Sequence, residues 1–275
     1  MQKKILALHD LSGFGRSSLV PIIAVTSAMG HQCVPVPTAV FSTHTAIEEY
    51  HVRDLTADVP PTIDQYERLG LQFEAVYSGF LSSEKQIDSV SQAILRLRAH
   101  NGIVLVDPVM GDNGEVYRTY TAEMCHRMGE LCHLADVITP NLTEAAILLG
   151  RDVHALPADA RQTADWARAL ETKYDARVVL TGVDGGSDTV GVLCCEHAQL
   201  AFFEHARIPA YYPGTGDLFA SVLLGGLLRG DKLADAAARA ASFVRDCIAY
   251  TAARGTNNLH GVQFEPLLCR LWKSL

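Results

Sequence analysis

The sequence predicts a single α/β domain over residues 1–275, with a mostly parallel central sheet and an antiparallel hairpin at its edge. Three observations predict it. Short apolar runs, of which Ile103-Val104-Leu105-Val106 is the clearest, are unbroken and β-branched, as in strands covered on both faces. These runs alternate with segments of helical periodicity. Several of them also stop at a cluster of polar residues, which lies at the carboxyl edge of a parallel sheet, where open α/β folds bind ligands.

The elements follow in order. Residues 5–8 read as a buried strand ending in His9-Asp10-Leu11-Ser12-Gly13-Phe14-Gly15-Arg16-Ser17-Ser18, a polar loop that matches neither a dinucleotide fingerprint nor a P-loop. It serves as a turn and helix cap, or it hydrogen-bonds a polar substrate through Asp10 or Ser12. Residues 20–29 are helical, 33–37 extended, and Thr38-Ala39-Val40-Phe41-Ser42-Thr43-His44-Thr45 is a loop over a pocket or a solvated turn. Helices are expected over 62–69 and 84–98, with a strand over 75–78 between them.

The strand over 103–106 stops at Asp107-Pro108-Val109-Met110-Gly111-Asp112. Two carboxylates there either hold a hydrated Mg²⁺ beside phosphates or are solvated loop acids. After a helix over 121–133, a strand over 136–139 leads into Pro140-Asn141-Leu142-Thr143-Glu144, and Gly150 ends the helix begun at Pro140. Asn141 and Glu144 lie three apart, as in a capping box; the same pair also faces the ligand edge. A helix over 158–174, a strand over 177–180 with Thr181-Gly182 in its loop, and strands over 190–195 and 200–203 complete the sheet.

The rest of the chain is organised around Tyr212-Pro213-Gly214-Thr215-Gly216-Asp217-Leu218-Phe219-Ala220-Ser221. An apolar run follows to Leu228, so the glycines sit at the start of a buried helix, and a second helix covers 233–253. Free first-turn N–H groups and the positive end of the helix dipole converge there on an anion, and glycine allows close approach. Asp217 in that turn either complements the dipole or acts as general base toward a hydroxyl attacking a phosphate.

Composition excludes several function classes. The net charge is -8, without basic runs or aromatic-basic interleaving, which argues against nucleic acid. The first ten residues lack the apolar run of a secretory leader, and residues 219–228 are too short to span a bilayer, so a cytoplasmic protein is expected. The seven cysteines are scattered, without a Cys-x-x-Cys pair, and are expected to be reduced. Cys125-His126 and Cys132-His133 repeat seven apart; a helix packing Cys, Met and Leu inward explains this better than zinc does. His44 and His51 lack the remainder of a metal motif.

Four ordered motifs resemble the ribokinase-like superfamily, specifically its vitamin kinase branch of pyridoxal and pyridoxamine kinases, with hydroxymethylpyrimidine kinases as near relatives. They are Asp107 to Asp112, Thr139 to Glu144, Val179-Leu180-Thr181-Gly182 and Gly214 to Asp217, and Phe41 to Thr45 resembles the substrate-side segment of the pyridoxal kinases. The resemblance implies a three-layer sandwich with helices on both faces, and ATP-dependent phosphorylation of the 5′-hydroxymethyl group of a B6 vitamer. It implies Asp217 as base and Gly214, Thr215 and Gly216 as anion hole. Asp107, Asn141 and Glu144 would organise Mg²⁺ and the phosphates of ATP, with Thr181 and Gly182 on the nucleotide side, and Asp112 would assist. A K⁺-type site would lie near Asp107, Thr139 and Thr181, the vitamer between the first loop and Thr45, and the assembly would be a homodimer. Where pyridoxal kinases often carry Gln-Ser-His after the first strand, this chain has His9-Asp10-Leu11-Ser12, so both Asp10 and Ser12 stand as ring contacts.

Overall fold

The computed structural model describes residues 2–186 and 188–272. The chain opens with β1 (Lys4–Phe14), α1 (Leu19–Ala28), β2 (Gln32–Thr43), β3 (Val52–Asp54), α2 (Val59–Arg68), β4 (Phe73–Ser78), α3 (Glu84–Leu97) and β5 (Arg98–Val106). A small hairpin, β6 (Gly111–Asp112) with β7 (Glu115–Val116), precedes α4 (Ala122–Cys132), β8 (Val137–Ile138), α5 (Leu142–Leu149) and α6 (Ala160–Tyr174). Then come β9 (Arg177–Gly186), β10 (Thr189–Glu196), β11 (Gln199–Ala206), α7 (Thr215–Leu228) and α8 (Leu233–Ala252). Among the described residues, nine strands form one sheet in the order β11-β10-β9-β8-β5-β4-β1-β2-β3. The centre from β2 to β9 is parallel, and β3, β10 and β11 pair antiparallel at the two edges.

Strand alternation sends side chains into two cores. On β1, Leu6 and Leu8 join Val104, Val106 and the inner faces of α2 to α6; Ile5 and Ala7 join Leu105 and the helices α1, α7 and α8. Helix α7 is buried from Leu218 to Leu228, which explains its unbroken apolar sequence: it has no solvent face to make polar. Local signals set the other helix starts. The side chains of Ser83, Thr121 and Asp159 accept from N–H groups of the first turns of α3, α4 and α6. Asn141 and Glu144 form a reciprocal capping box on α5, and Gly150 ends it at a left-handed φ of 67°.

Two segments differ from their sequence reading. The loop expected from His9 onward continues as strand to Phe14, and the pocket loop expected at Thr38 is strand as far as Thr43. Each segment supplies the other's partner: after a bulge between His9 and Leu11, Leu11 pairs with Val40, Ser12 with Phe41 and Phe14 with Thr43. Ladder pairing here outweighs the weak strand propensity of serine, aspartate and glycine. Thr181-Gly182 likewise belongs to β9 rather than to a loop.

Residues 257–265 clasp the end of β1. Arg16 donates to the carbonyl of His260 at 3.1 Å and to Glu265 at 2.6 Å, and the Phe14 and His260 rings meet edge to face. A Cβ at Gly261 would lie 2.0 Å from the Gly15 carbonyl, so only glycine permits the approach.

Leu223→Ala in the middle of α7 should cost about 2–5 kcal/mol. Urea unfolding should show a lower midpoint with an unchanged slope.

Candidate active site

The start of α7 is set by Gly214, whose φ of 81° is left-handed and whose Cβ, if present, would lie 2.3 Å from the Arg16 carbonyl. That contact seats the helix start against the turn between β1 and α1. The helical ladder begins with the Leu218 N–H donating to the Gly214 carbonyl at 3.1 Å, so the N–H groups of Thr215, Gly216 and Asp217 have no carbonyl one turn back to bond. They form a donor nest aimed out of the helix, as an anion requires. Asp217 stands in the same turn. Its Oδ2 accepts from the Ser18 N–H at 2.7 Å, and its Oδ1 lies 3.0 Å from His9 Nε2.

Opposite the nest, the ends of β5 and β8 deliver carboxylates. Asp107 follows β5 and is 7% exposed; a Cβ on Gly216 would lie 3.9 Å from its Oδ2, so it abuts the helix start. Glu144 is 4% exposed, and accepts from the Asn141 N–H at 2.9 Å and the Met110 N–H at 3.1 Å. Asn141 in turn donates to the Gly111 carbonyl and bridges to Thr181 on β9. Burial, then the charge of Asp217, pushes Asp107 up; burial, then Asp107, pushes Glu144 well up. Asp112 on the small hairpin is raised by burial as well. Hard oxygen donors held at such cost suit a hydrated Mg²⁺, which needs only one or two carboxylates and completes its shell with water and phosphate.

These groups line one cavity of about 450 Å³. Its lining combines Asp107, Asp112, Thr139, Asn141, Glu144, Thr181, Gly182 and Gly214 to Asp217 with Val190, Val192, Tyr212, Phe219, Val244 and Ile248, and with the basic Arg207 and Arg245. Charged and polar groups beside apolar walls in one cavity suit a nucleotide, with its phosphates and its base.

A family model described as phosphomethylpyrimidine kinase matches residues 23–262. The chain belongs to that family. A crystal structure from Bacteroides thetaiotaomicron, described provisionally as a phosphomethylpyrimidine kinase and obtained with pyridoxal, is 38% identical to this family member, with a TM-score of 0.93 over 98% of this chain and 96% of that one. The structure of pyridoxal kinase from Lactobacillus plantarum is 30% identical, with a TM-score of 0.91 over 98% and 97%. A curated relative, pyridoxal kinase of Arabidopsis thaliana, is 28% identical over 79% of this chain and 71% of its own length. The ribokinase-like three-layer architecture, with helices on both faces of the sheet, is that of these structures.

Within this family member the expected phosphate-side residues converge, whereas the expected ring contacts do not all reach the site. Asp10 and Ser12 are buried and bonded to each other, Ser12 Oγ donating to Asp10 at 2.9 Å. Thr45 is exposed in the turn after β2. His44 turns away, its Nε2 2.7 Å from the Leu259 carbonyl. On α4, Cys132 and Met128 pack inward while His126 faces solvent beside Glu130. The residue that sequence reasoning missed is His9. It is 2% exposed and lies 2.9 Å from Asp10 and 3.0 Å from Asp217, a contact spanning most of the chain that no local motif announces.

Burial opposes a charge on His9, but the carboxylate of Asp217 and the bonds to Asp10 and Asp217 outweigh it, raising the imidazole from 6.5 to about 10. A group raised on folding contributes its full stability below its unfolded pKa and loses it as the pH climbs through the folded one. The melting temperature of the native protein should therefore fall more between pH 7 and 10 than that of His9→Gln, which calorimetry would measure. Gly214→Ala should displace Arg16 and Ser17 and abolish nucleotide binding, read by fluorescence titration with a labelled ATP analogue.

Proposed function

We propose that this chain transfers the γ-phosphoryl group of ATP to the 5′-hydroxymethyl group of pyridoxal, pyridoxamine or pyridoxine. The observation that carries this reading is the Asp217 carboxylate set in the same helical turn as a free N–H nest, facing buried carboxylates across one cavity. A site that only bound phosphate would gain nothing from an acid there; a hydroxyl acceptor requires a base. The relative crystallised with pyridoxal supports a B6 vitamer as acceptor.

In this reading Asp217 takes the proton of the hydroxymethyl group as its oxygen bonds to the γ-phosphorus and the bond to the β-phosphate bridging oxygen breaks. The N–H groups of Thr215, Gly216 and Asp217 receive the charge that develops on the transferred group, with Gly214 shaping the turn. Asp107, Asp112 and Glu144 would hold Mg²⁺, which supplies charge neutralisation at the phosphates when bound. Asp107, Thr139 and Thr181 would contact a monovalent cation such as K⁺, and Asn141, Thr181 and Gly182 would flank the nucleotide. Asp10, Ser12 and Thr45 remain the assigned vitamer contacts; with Asp10 and Ser12 buried and Thr45 exposed, this assignment requires the segment after β2 to fold inward over the ring. A homodimer in the cytoplasm completes the reading. Among the described residues, no helix is long and apolar enough to cross a membrane.

The matching family model favours a second reading, phosphorylation of a hydroxymethylpyrimidine or its phosphate. ADP release from Mg-ATP with K⁺, offered the three vitamers and hydroxymethylpyrimidine in parallel, separates the two. Turnover of the vitamers is expected; turnover of the pyrimidine alone would replace the first reading by the second. Asp217→Asn should keep nucleotide binding and lose about 10²–10⁴-fold in kcat, and near-native turnover by that variant would remove Asp217 as the base.

A further inference from the structure

His9 takes no part in the proposed proton transfer, yet it is a buried side chain held directly beside Asp217. It lies on β1, before the bulge, with its ring edge-on to Tyr77 of β4 at 6.4 Å between centroids. The turn after β4 is built around the ring: a Cβ at Gly79 would lie 2.0 Å from His9 Cδ2 and 2.1 Å from Nε2. Nδ1 is 2.9 Å from Asp10 Oδ1, and Asp10 Oδ2 accepts from the Ser12 hydroxyl. Nε2 is 3.0 Å from Asp217 Oδ1, with the Phe80 N–H at 3.2 Å on its other side. The chain thus runs from Ser12 through Asp10 and His9 to the carboxylate that accepts the substrate proton.

We propose that His9 is a positioning residue for phosphoryl transfer: held by Asp10 and by the space at Gly79, it donates from Nε2 to one oxygen of Asp217 while the Ser18 N–H holds the other. The carboxylate is thereby fixed in one rotation. Each oxygen keeps a lone pair for the incoming hydroxyl. This deepens the proposed kinase function and rests on Asp217 being its base. The charged and titratable groups facing His9 are Asp10 on its own strand, Asp217 on α7, Asp107 after β5 and the Tyr77 hydroxyl on β4. Three of them are carboxyl groups, so one cation is shared among several acids.

A purely structural histidine and a positioning one differ in what their loss changes. In His9→Gln and His9→Ala, KM for ATP and for the vitamer should stay within about threefold while kcat falls about tenfold to a hundredfold. Added imidazole should restore part of kcat in His9→Ala and leave His9→Gln unchanged. If both variants keep ATP binding and show the native kcat, the proposal is overturned. Nitrogen-15 NMR of the native protein provides an arm that needs neither a variant nor a substrate. Both ring nitrogens of His9 should carry protons at pH 7.5, and a neutral ring there would equally refute the ion pair. Because that arm reads His9 directly, its outcome is independent of the substrate panel: a failed panel withdraws the B6 reading, and a neutral His9 withdraws this one.

Discussion

Negative charge concentrated in a dry place is the constraint that organises this molecule. Asp10, Asp107 and Glu144 are each less than a tenth exposed, and Asp217 stands among them with only 12% of its side chain open to water. Buried acids survive only with compensation, and each finds a different kind. Glu144 takes two backbone N–H groups, Asp217 takes one together with the imidazole of His9, and Asp10 takes the other side of that imidazole with a serine hydroxyl. Among the described residues Asp107 has no backbone N–H donor of this kind, and in the proposed reading it is the acid that Mg²⁺ would satisfy.

The sheet topology makes this concentration possible. Parallel strands β1, β4, β5, β8 and β9 end at the same edge, and two of the acids sit immediately beyond or within those ends. Helix α7 then brings its positive end to the acids from the opposite core. Its burial from Leu218 to Leu228 fixes its axis, and the contact between Gly214 and the Arg16 carbonyl fixes its first turn. The placement of Asp217 therefore derives from packing beyond it, along the buried stretch from Leu218 to Leu228.

Much of this was legible in the sequence, and the limits follow from the range of each signal. Asn141 and Glu144 could be paired because a capping box is a three-residue pattern, and Gly214 to Asp217 could be read because glycine spacing and an apolar run are local. The strand nature of residues 9–14 and 38–43 was not legible, because each segment is a strand only by virtue of the other. His9 was hidden for the same reason: its partner lies 208 positions away in number, and a histidine after a strand carries no mark of it. The vitamer contacts were the least legible, since Asp10 and Ser12 are occupied with each other and Thr45 lies outside.

The clasp of residues 257–265 over β1 has a consequence for how the protein folds. The strand and the segment that braces its end, through Arg16, Gly15 and His44, lie far apart in the sequence. Contacts of such long separation cost chain entropy before they return any stability. The turn carrying Ser18, whose N–H holds Asp217, is thus braced by a remote pairing, and a change that loosened residues 257–265 would blur that turn while leaving the sheet itself intact.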